Sequence, residues 1–396
     1  MRTLTPLMIL GALALSATAC SGNSVSEPQQ PPALDATVTQ PAAEQTFEAV
    51  RVPDGTPTFT LAWSPYTSWS ALASAEAFGY IDNREGWAGQ YEMQFGVDVV
   101  LQRMDYVQSF GVYGAGTVDA LTITNTDALA IAHERRTNSG DATVAVFPTS
   151  WSNGADKILV EDEITSWADL AGVPVKGAEM SVTQYLFWRA CTLNGVGDQY
   201  GKTYTFLNLD PVVGAPQFAA RQTPELRAFG GWSPETFIVL DGRNGDEDSL
   251  NDVNDLFNSA MIGKYEIVDM LIVGQSVLDR PGGVSGVQAL GAAMQAMTNR
   301  TKDPTQQGVT FQAISPNFND LDNGYISRAM GLTLMLGPDD SQAVLGSPEL
   351  KGNMSLVVDF STQHGLIPSA AAVPIAWGTK AEAPNAVLRF DTSIGG

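Results

Sequence analysis

Trp63, Ser64, Tyr66 and Trp69 follow directly on the apolar run 59–62, and residues of the same kind recur after each later β-rich run. Asp105 and Tyr106 come next, then Asn125 and Asp127, then Trp151, Ser152, Asn153 and Asp156; Ser181, Gln184 and Tyr185, and Trp232, Ser233 and Glu235 complete the series. The set is aromatic, acidic, hydroxyl or amide, and almost without lysine or arginine. An aromatic face attracts a desolvated cation by about 0.5–2 kcal/mol, and a carboxylate accepts a planar pair of N–H groups. A compact nitrogen cation or a planar polyamine matches that chemistry. A sulfonate, phosphate or nitrate asks for cationic donors, for which Arg103 is the nearest arginine, although helix N-termini and backbone N–H groups can also hold an anion. The candidate ligand contacts are Trp63, Ser64, Tyr66, Trp69, Asp105, Asn125 and Asp127 on one side, Ser152 and Asn153 at the first crossover, and Ser181, Gln184, Tyr185 and Trp232 on the other side.

Covalent chemistry finds little to work with. The chain has two histidines, His133 and His364, and two cysteines, Cys20 and Cys191, too few for a multi-histidine metal site or a zinc-type Cys/His cluster. Gly111, Gly114 and Gly116 have the wrong spacing for a dinucleotide fingerprint, and no Ser-His-Asp order is present. Asp105 and Asp127 could in principle do acid–base work, but the reading favoured by the whole set is binding without turnover, metal or cofactor. Cys191, in an apolar stretch, reads as a buried hydrophobe. With 43 acidic against 21 basic residues, the net charge of −22 argues against nucleic acid or anionic lipid as a partner. It suits a solvated acidic surface, or a field that steers a cation toward a cleft.

The elements that must hold these residues alternate in the βαβ manner. Strands are expected at 59–62, 97–101, 120–124 and 142–147, with helices at 63–78, from Asp105 to Tyr113, and from Thr126 onward. A turn-forming cluster at 150–154 opens a second series. There a short helix at 167–172, a strand at 173–175, a helix capped by Ser181, a helix at 216–229 and a strand at 236–240 are expected. The acidic stretch 241–248 reads as a solvated turn without the spacing of a calcium loop. A strand at 268–273 returns to the first series, and helices at 286–298 and 324–336 complete it. The expected fold is therefore α/β and two-lobed, with two doubly wound parallel sheets joined by a two-crossover hinge, and with ligand groups at the strand ends facing a cleft. The divisions are lobe 1 at 58–156 and 268–396, which includes the C-terminal tail, and lobe 2 at 157–267.

Met1-Arg2, an apolar run at 4–15 and small residues ending at Cys20 make an export signal over 1–20. The small-small-small-Cys ending resembles a lipoprotein box, which implies a lipidated Cys20 and a protein held at the outer face of a membrane. Residues 21–57, rich in Ser, Gln, Ala and Pro, read as a disordered tether.

Ala62-Trp63-Ser64, Thr124-Asn125-Thr126-Asp127-Ala128-Leu129, Ser152-Asn153-Gly154-Ala155-Asp156, Trp232-Ser233-Pro234 and Leu388-Arg389-Phe390-Asp391 occur in that order. The ordered set resembles the type II-like periplasmic binding proteins of ABC importers, in the nitrate/sulfonate/taurine-type group and closest to its urea-carboxylase-associated branch. The resemblance spans residues 58–393 and departs from the pattern at Ala155 and in the acidic insertion 241–248. It implies that Trp63, Asn125, Asp127, Ser152 and Asn153 line the cleft. It also implies a periplasmic, monomeric protein that captures a small urea- or guanidine-like solute and delivers it to an inner-membrane permease. An aliphatic sulfonate or a thiamine-precursor pyrimidine on the same fold is the alternative.

Overall fold

The computed structural model describes residues 47–244, 252–318 and 321–394. The signal segment with Cys20, most of the tether, and residues 245–248 of the acidic insertion lie outside the described residues. Among the described residues no helix is long and apolar enough to cross a membrane.

Two sheets organise the chain. The first runs Ile375–Trp377, Leu388–Phe390, Thr143–Ser152, Val268–Gly274, Ala120–Thr124, Thr58–Trp63, Asp98–Arg103, with Thr333–Met335 also paired to Thr143–Ser152. Its central strands are buried on both faces, which is why 120–124 and 268–273 read as continuous apolar runs. The second sheet runs Val253–Asn258, Lys157–Glu161, Ala228–Gly231, Val175–Gly177, Phe206–Asn208.

The sheets are mixed, where wholly parallel sheets were expected. Val268–Gly274 is antiparallel to both Ala120–Thr124 and Thr143–Ser152, and Lys157–Glu161 is antiparallel to both Ala228–Gly231 and Val253–Asn258. These are the strands by which the chain enters each sheet from the other. A strand arriving through a short crossing starts at the edge facing the other sheet, so it runs against neighbours that end there.

The crossings lie side by side. Lys157 pairs with Asn258, and Ser259 N–H donates to the Asp156 carbonyl at 2.9 Å. Ser259 Oγ lies 2.7 Å from Ser152 Oγ and accepts from Gly154 N–H at 2.7 Å. Beyond them the two sheets share one apolar cluster. Tyr185 and Trp188 of the helix Val182–Leu193 meet Phe360 of the helix Pro348–Gln363 at 5.4 and 5.7 Å between ring centroids. A polar contact also joins the two parts: Arg328 of Asn323–Leu332 pairs with Asp241 of Glu235–Asn244 at 2.6 Å, its guanidinium 4.3 Å from the Phe237 ring centre.

Further sequence expectations are corrected: the helix expected at 324–336 ends at Leu332, before the strand Thr333–Met335, and residues 241–244 of the expected turn are helical. Residues 236–240 form part of the helix Glu235–Asn244, not a strand. The helix expected at 216–229 is Pro211–Ala219, capped by Asp210, whose side chain accepts from Val212 N–H, and Phe229 instead lies in the strand Ala228–Gly231. The expected tether ends early, because Val50–Arg51 pairs with Trp87–Ala88.

The helix Gly283–Lys302 approaches the first sheet closely through Gly286, where an added Cβ would sit 2.3 Å from Phe59 Cγ. Gly286→Ala should therefore cost about 1–3 kcal/mol, the usual cost of overpacking, despite its gain in helix propensity. Scanning calorimetry of the two proteins checks this; an unchanged or raised melting temperature would contradict it.

Candidate ligand-binding site

A cavity of ≈ 30 Å³ opens beside the crossings, lined by Tyr66, Thr67, Ser68, Trp69, Tyr106, Thr124, Ser152, Ala155, Asp156, Val182, Trp232, Ser233, Asp269 and Thr333. That is room for the centres of about two or three water-sized spheres, so it fits a small solute. The first sheet supplies most of the lining. Tyr66 to Trp69 follow its strand Thr58–Trp63, Thr124 ends another, and Thr333 closes the far side with its hydroxyl 3.1 Å from that of Thr67. Val182 opens a helix of the second part, and Trp232 and Ser233 follow its strand Ala228–Gly231.

The aromatic residues form one interlocked group. Tyr66 meets Trp69, Tyr106 and Trp232 edge-on at 5.2, 5.2 and 4.9 Å, and Trp69 stacks on Tyr106 at 5.6 Å. The Nε1 atoms of Trp69 and Trp232 are buried without a hydrogen-bond partner.

Carboxyl groups surround this group. Asp269 lines the cavity and accepts from Ser150 Oγ at 2.8 Å; burial lifts its pKa from 3.8 to about 7, helped by the negative charges of Asp156 and Asp127. Asp156, also in the lining, is raised to about 6 by burial against the opposing effects of the Ser152 hydroxyl and the Lys157 charge. Burial raises Glu235 to about 7, with Asp210 adding to it, and its Oε2 has no partner. Burial and then the charge of Glu235 push the Tyr66 hydroxyl well above its ordinary value. No lysine or arginine is among the lining residues. Lys157, next to Asp156, is paired with Asp255 at 2.6 Å.

Of the candidates read from sequence, Tyr66, Trp69, Ser152 and Trp232 line the cavity. Asp127 stands behind it, accepting from Tyr106 Oη at 2.7 Å and Thr126 Oγ1 at 3.0 Å, with Val182 N–H reaching it from the second part. Burial raises Asp127 to about 6, and its role in this geometry is to fix the Tyr106 ring. The remaining candidates fall outside the lining. Trp63 is buried in the core, and Ser64 is buried beside it with Oγ unpartnered. Asp105 is exposed at the N-cap of the helix Tyr106–Gly114, where its carboxylate accepts from Gln108 Nε2 at 2.9 Å. Asn125 clips the returning chain, accepting from Val268 N–H at 2.8 Å and donating to the Glu266 carbonyl at 3.1 Å. Asn153 bonds Leu332 through its backbone, Ser181 caps its helix, and Gln184 accepts from Met180 N–H and donates to Tyr200 Oη. Tyr185 donates to Glu266 at 3.0 Å inside the apolar seam. Cys191 is buried, as expected, with its thiol pushed up to about 12 by burial.

Asp269 is the lining residue that the sequence reading missed outright. Its signal was present: a single carboxylate inside the apolar strand Val268–Gly274 has to face something polar. Thr67, Ser68 and Thr333 carried no comparable signal.

Neither a family model nor a curated relative matches the sequence. Solved structures do match in shape. The alkanesulfonate-binding protein SsuA of Xanthomonas axonopodis pv. citri, bound to MOPS, aligns at TM-score 0.57 and 16% identity, over 82% of this chain and 99% of that one. The fold is that of the periplasmic binding proteins. The periplasmic aliphatic sulphonate-binding protein of Escherichia coli (TM-score 0.58, 14% identity, 79% and 89% covered) and the nitrate-binding protein NrtA of Synechocystis PCC 6803 (0.56, 12%, 81% and 84%) share it. Within this fold the cavity lies where the two sheets approach at the crossings, in keeping with ligand sites at strand ends.

Two outcomes follow from the geometry. Asp269 holds its proton more tightly folded than unfolded, so between about pH 4 and pH 7 the folded state carries the extra proton and stability falls as pH rises. Asp269→Asn should flatten that fall in solute-free protein, as read by melting temperature against pH; an unchanged slope would contradict it. Asn125→Ala should lower stability by about 1–3 kcal/mol through the unpaired Val268 N–H while leaving solute affinity within about twofold, separating a clip from a ligand contact.

Proposed function

We propose that the chain is the extracytoplasmic solute-binding component of an ABC importer, and that it captures a small nitrogen-containing solute, guanidinium- or urea-like, without altering it. The observation that carries this reading is the pairing of four interlocked aromatic side chains with Asp156 and Asp269 in a lining that has no basic residue. Carboxyl groups whose pKa values burial has raised gain most from a cation placed among them. Aromatic faces add attraction, and the packed rings exclude water. A few such contacts reach micromolar affinity, about −8 kcal/mol.

Capture follows from where the groups come from. Tyr66, Trp69 and Asp269 belong to the first sheet's side and Trp232 and Ser233 to the second, so a solute touching all of them binds the closed arrangement better than an open one. In this reading the lobes divide at 156 and 267, Cys20 is lipidated, the body stays at the outer face of the inner membrane as a monomer, and a permease receives the solute. The likeness to sulfonate- and nitrate-binding proteins favours an anion as the second reading. Unpaired carboxyls in the lining repel such ligands, which is why that reading ranks below.

A thermal-shift series with guanidinium chloride at low millimolar concentration, urea, taurine and nitrate tests the choice. A nitrogen solute at 100 times its dissociation constant should add about 2.7 kcal/mol. Stabilisation by nitrate or sulfonate alone would overturn the proposal. Affinity for the cation should fall as pH drops through 7 and 6, because protonation of Asp269 and Asp156 removes the charge it meets. Asp156→Asn should weaken binding about tenfold or more by calorimetry, corresponding to about 1.4 kcal/mol.

A further inference from the structure

We infer that the solute carries an oxygen acceptor as well as nitrogen donors, and that the indole N–H groups of Trp69 and Trp232 are its partners. The inference rests on the binding function proposed above and narrows its ligand class. Both rings line the cavity, both are more than nine-tenths buried, and both Nε1 atoms lack an acceptor. A buried N–H left unpaired is costly, and tryptophan can only donate, so the missing partner is an acceptor.

Neither indole reaches a protein oxygen: Glu235 Oε2 is itself unpartnered, and the other carboxylates around the cavity are engaged by hydroxyls. Asp127 takes Tyr106 and Thr126, and Asp269 takes Ser150 and Ser68. Nor can the indoles easily turn away to find one. Tyr66 packs edge-on against both, and Trp69 is stacked on Tyr106. The cavity therefore holds donors that lack acceptors together with carboxyls that lack counter-charge. A bare guanidinium or alkylammonium ion answers the carboxyls and leaves the indoles unpaired, and nitrate does the reverse. A protonated amine or amidine that bears an amide or urea carbonyl answers both.

Calorimetry on the full chain with glycinamide, ethylammonium and guanidinium chloride tests this. Glycinamide should bind at least tenfold more tightly than ethylammonium, which has the charge without the carbonyl. Trp69→Phe and Trp232→Phe, which keep a ring and remove the N–H, should each lower glycinamide affinity about tenfold more than they lower ethylammonium affinity, and an equal loss for both probes would overturn the inference. A readout free of substitution accompanies it: of the indole N–H resonances of the eight tryptophans, two should move downfield with glycinamide and not with ethylammonium. Equal affinity for the two probes, or unmoved indole resonances on glycinamide binding, overturns the inference while leaving a cation-binding function in place. Binding of guanidinium but not glycinamide does the same. If no nitrogen probe binds, the proposed function falls and this inference with it.

Discussion

Ser259 lies where the chain's two crossings meet, and its hydroxyl and backbone fasten one to the other through Ser152, Gly154 and Asp156. Such a fastening fixes the distance between the sheets at one edge. Everything in the cavity is placed relative to that edge: Ser152 and Asp156 stand on the crossing itself, Asp269 is one residue into the returning strand, and the aromatic group closes over them. Short crossings also explain why the entering strand of each sheet runs against its neighbours.

Burying several acidic side chains in one region works against stability, and the chain moderates it mainly with hydroxyls, with the charge of Lys157 helping at Asp156. Ser150 and Ser68 reach Asp269, Ser152 reaches Asp156, and Thr126 with Tyr106 reaches Asp127. Hydroxyls ease the negative charge without cancelling it, so the region stays receptive to an external positive group. A lysine or arginine in the lining would have given these carboxyls an internal counter-charge and taken the place of the proposed cation. Solved proteins of the same fold include ones that bind sulfonate and nitrate, so in the proposed reading the sign of the ligand is set by side chains and not by the architecture.

Much of this was legible from residue order. The buried strands announced themselves as apolar runs at 59–62, 120–124 and 268–273, and Ser181 was read as a helix cap, as found. Ala228–Gly231 was not legible as a strand, because Gly230 must pass close to Thr183, where an added Cβ would lie 2.6 Å from Cγ2. A strand built around glycine loses the β-branched signature that marks its neighbours. The helix Glu235–Asn244 erred in the opposite direction, since Thr236-Phe237-Ile238-Val239-Leu240 has the composition of a strand while packing as a helix against Pro211–Ala219. Of the candidates chosen by type and position, Tyr66, Trp69, Ser152 and Trp232 line the cavity. Asn125, Gln184 and Tyr185 have the right chemistry for a ligand but spend it on the chain itself, a choice that depends on contacts distant in sequence.

Two further links between the parts of the chain differ in kind. One is the dry aromatic packing of Tyr185 and Trp188 on Phe360; the other is the half-exposed pair of Arg328 and Asp241. Water can replace an exposed ion pair at a cost of about 1 kcal/mol or less, but nothing in solvent replaces ring against ring. Any widening of the gap thus turns on the greasy side as on an axle, while the charged side behaves as a catch that salt can loosen.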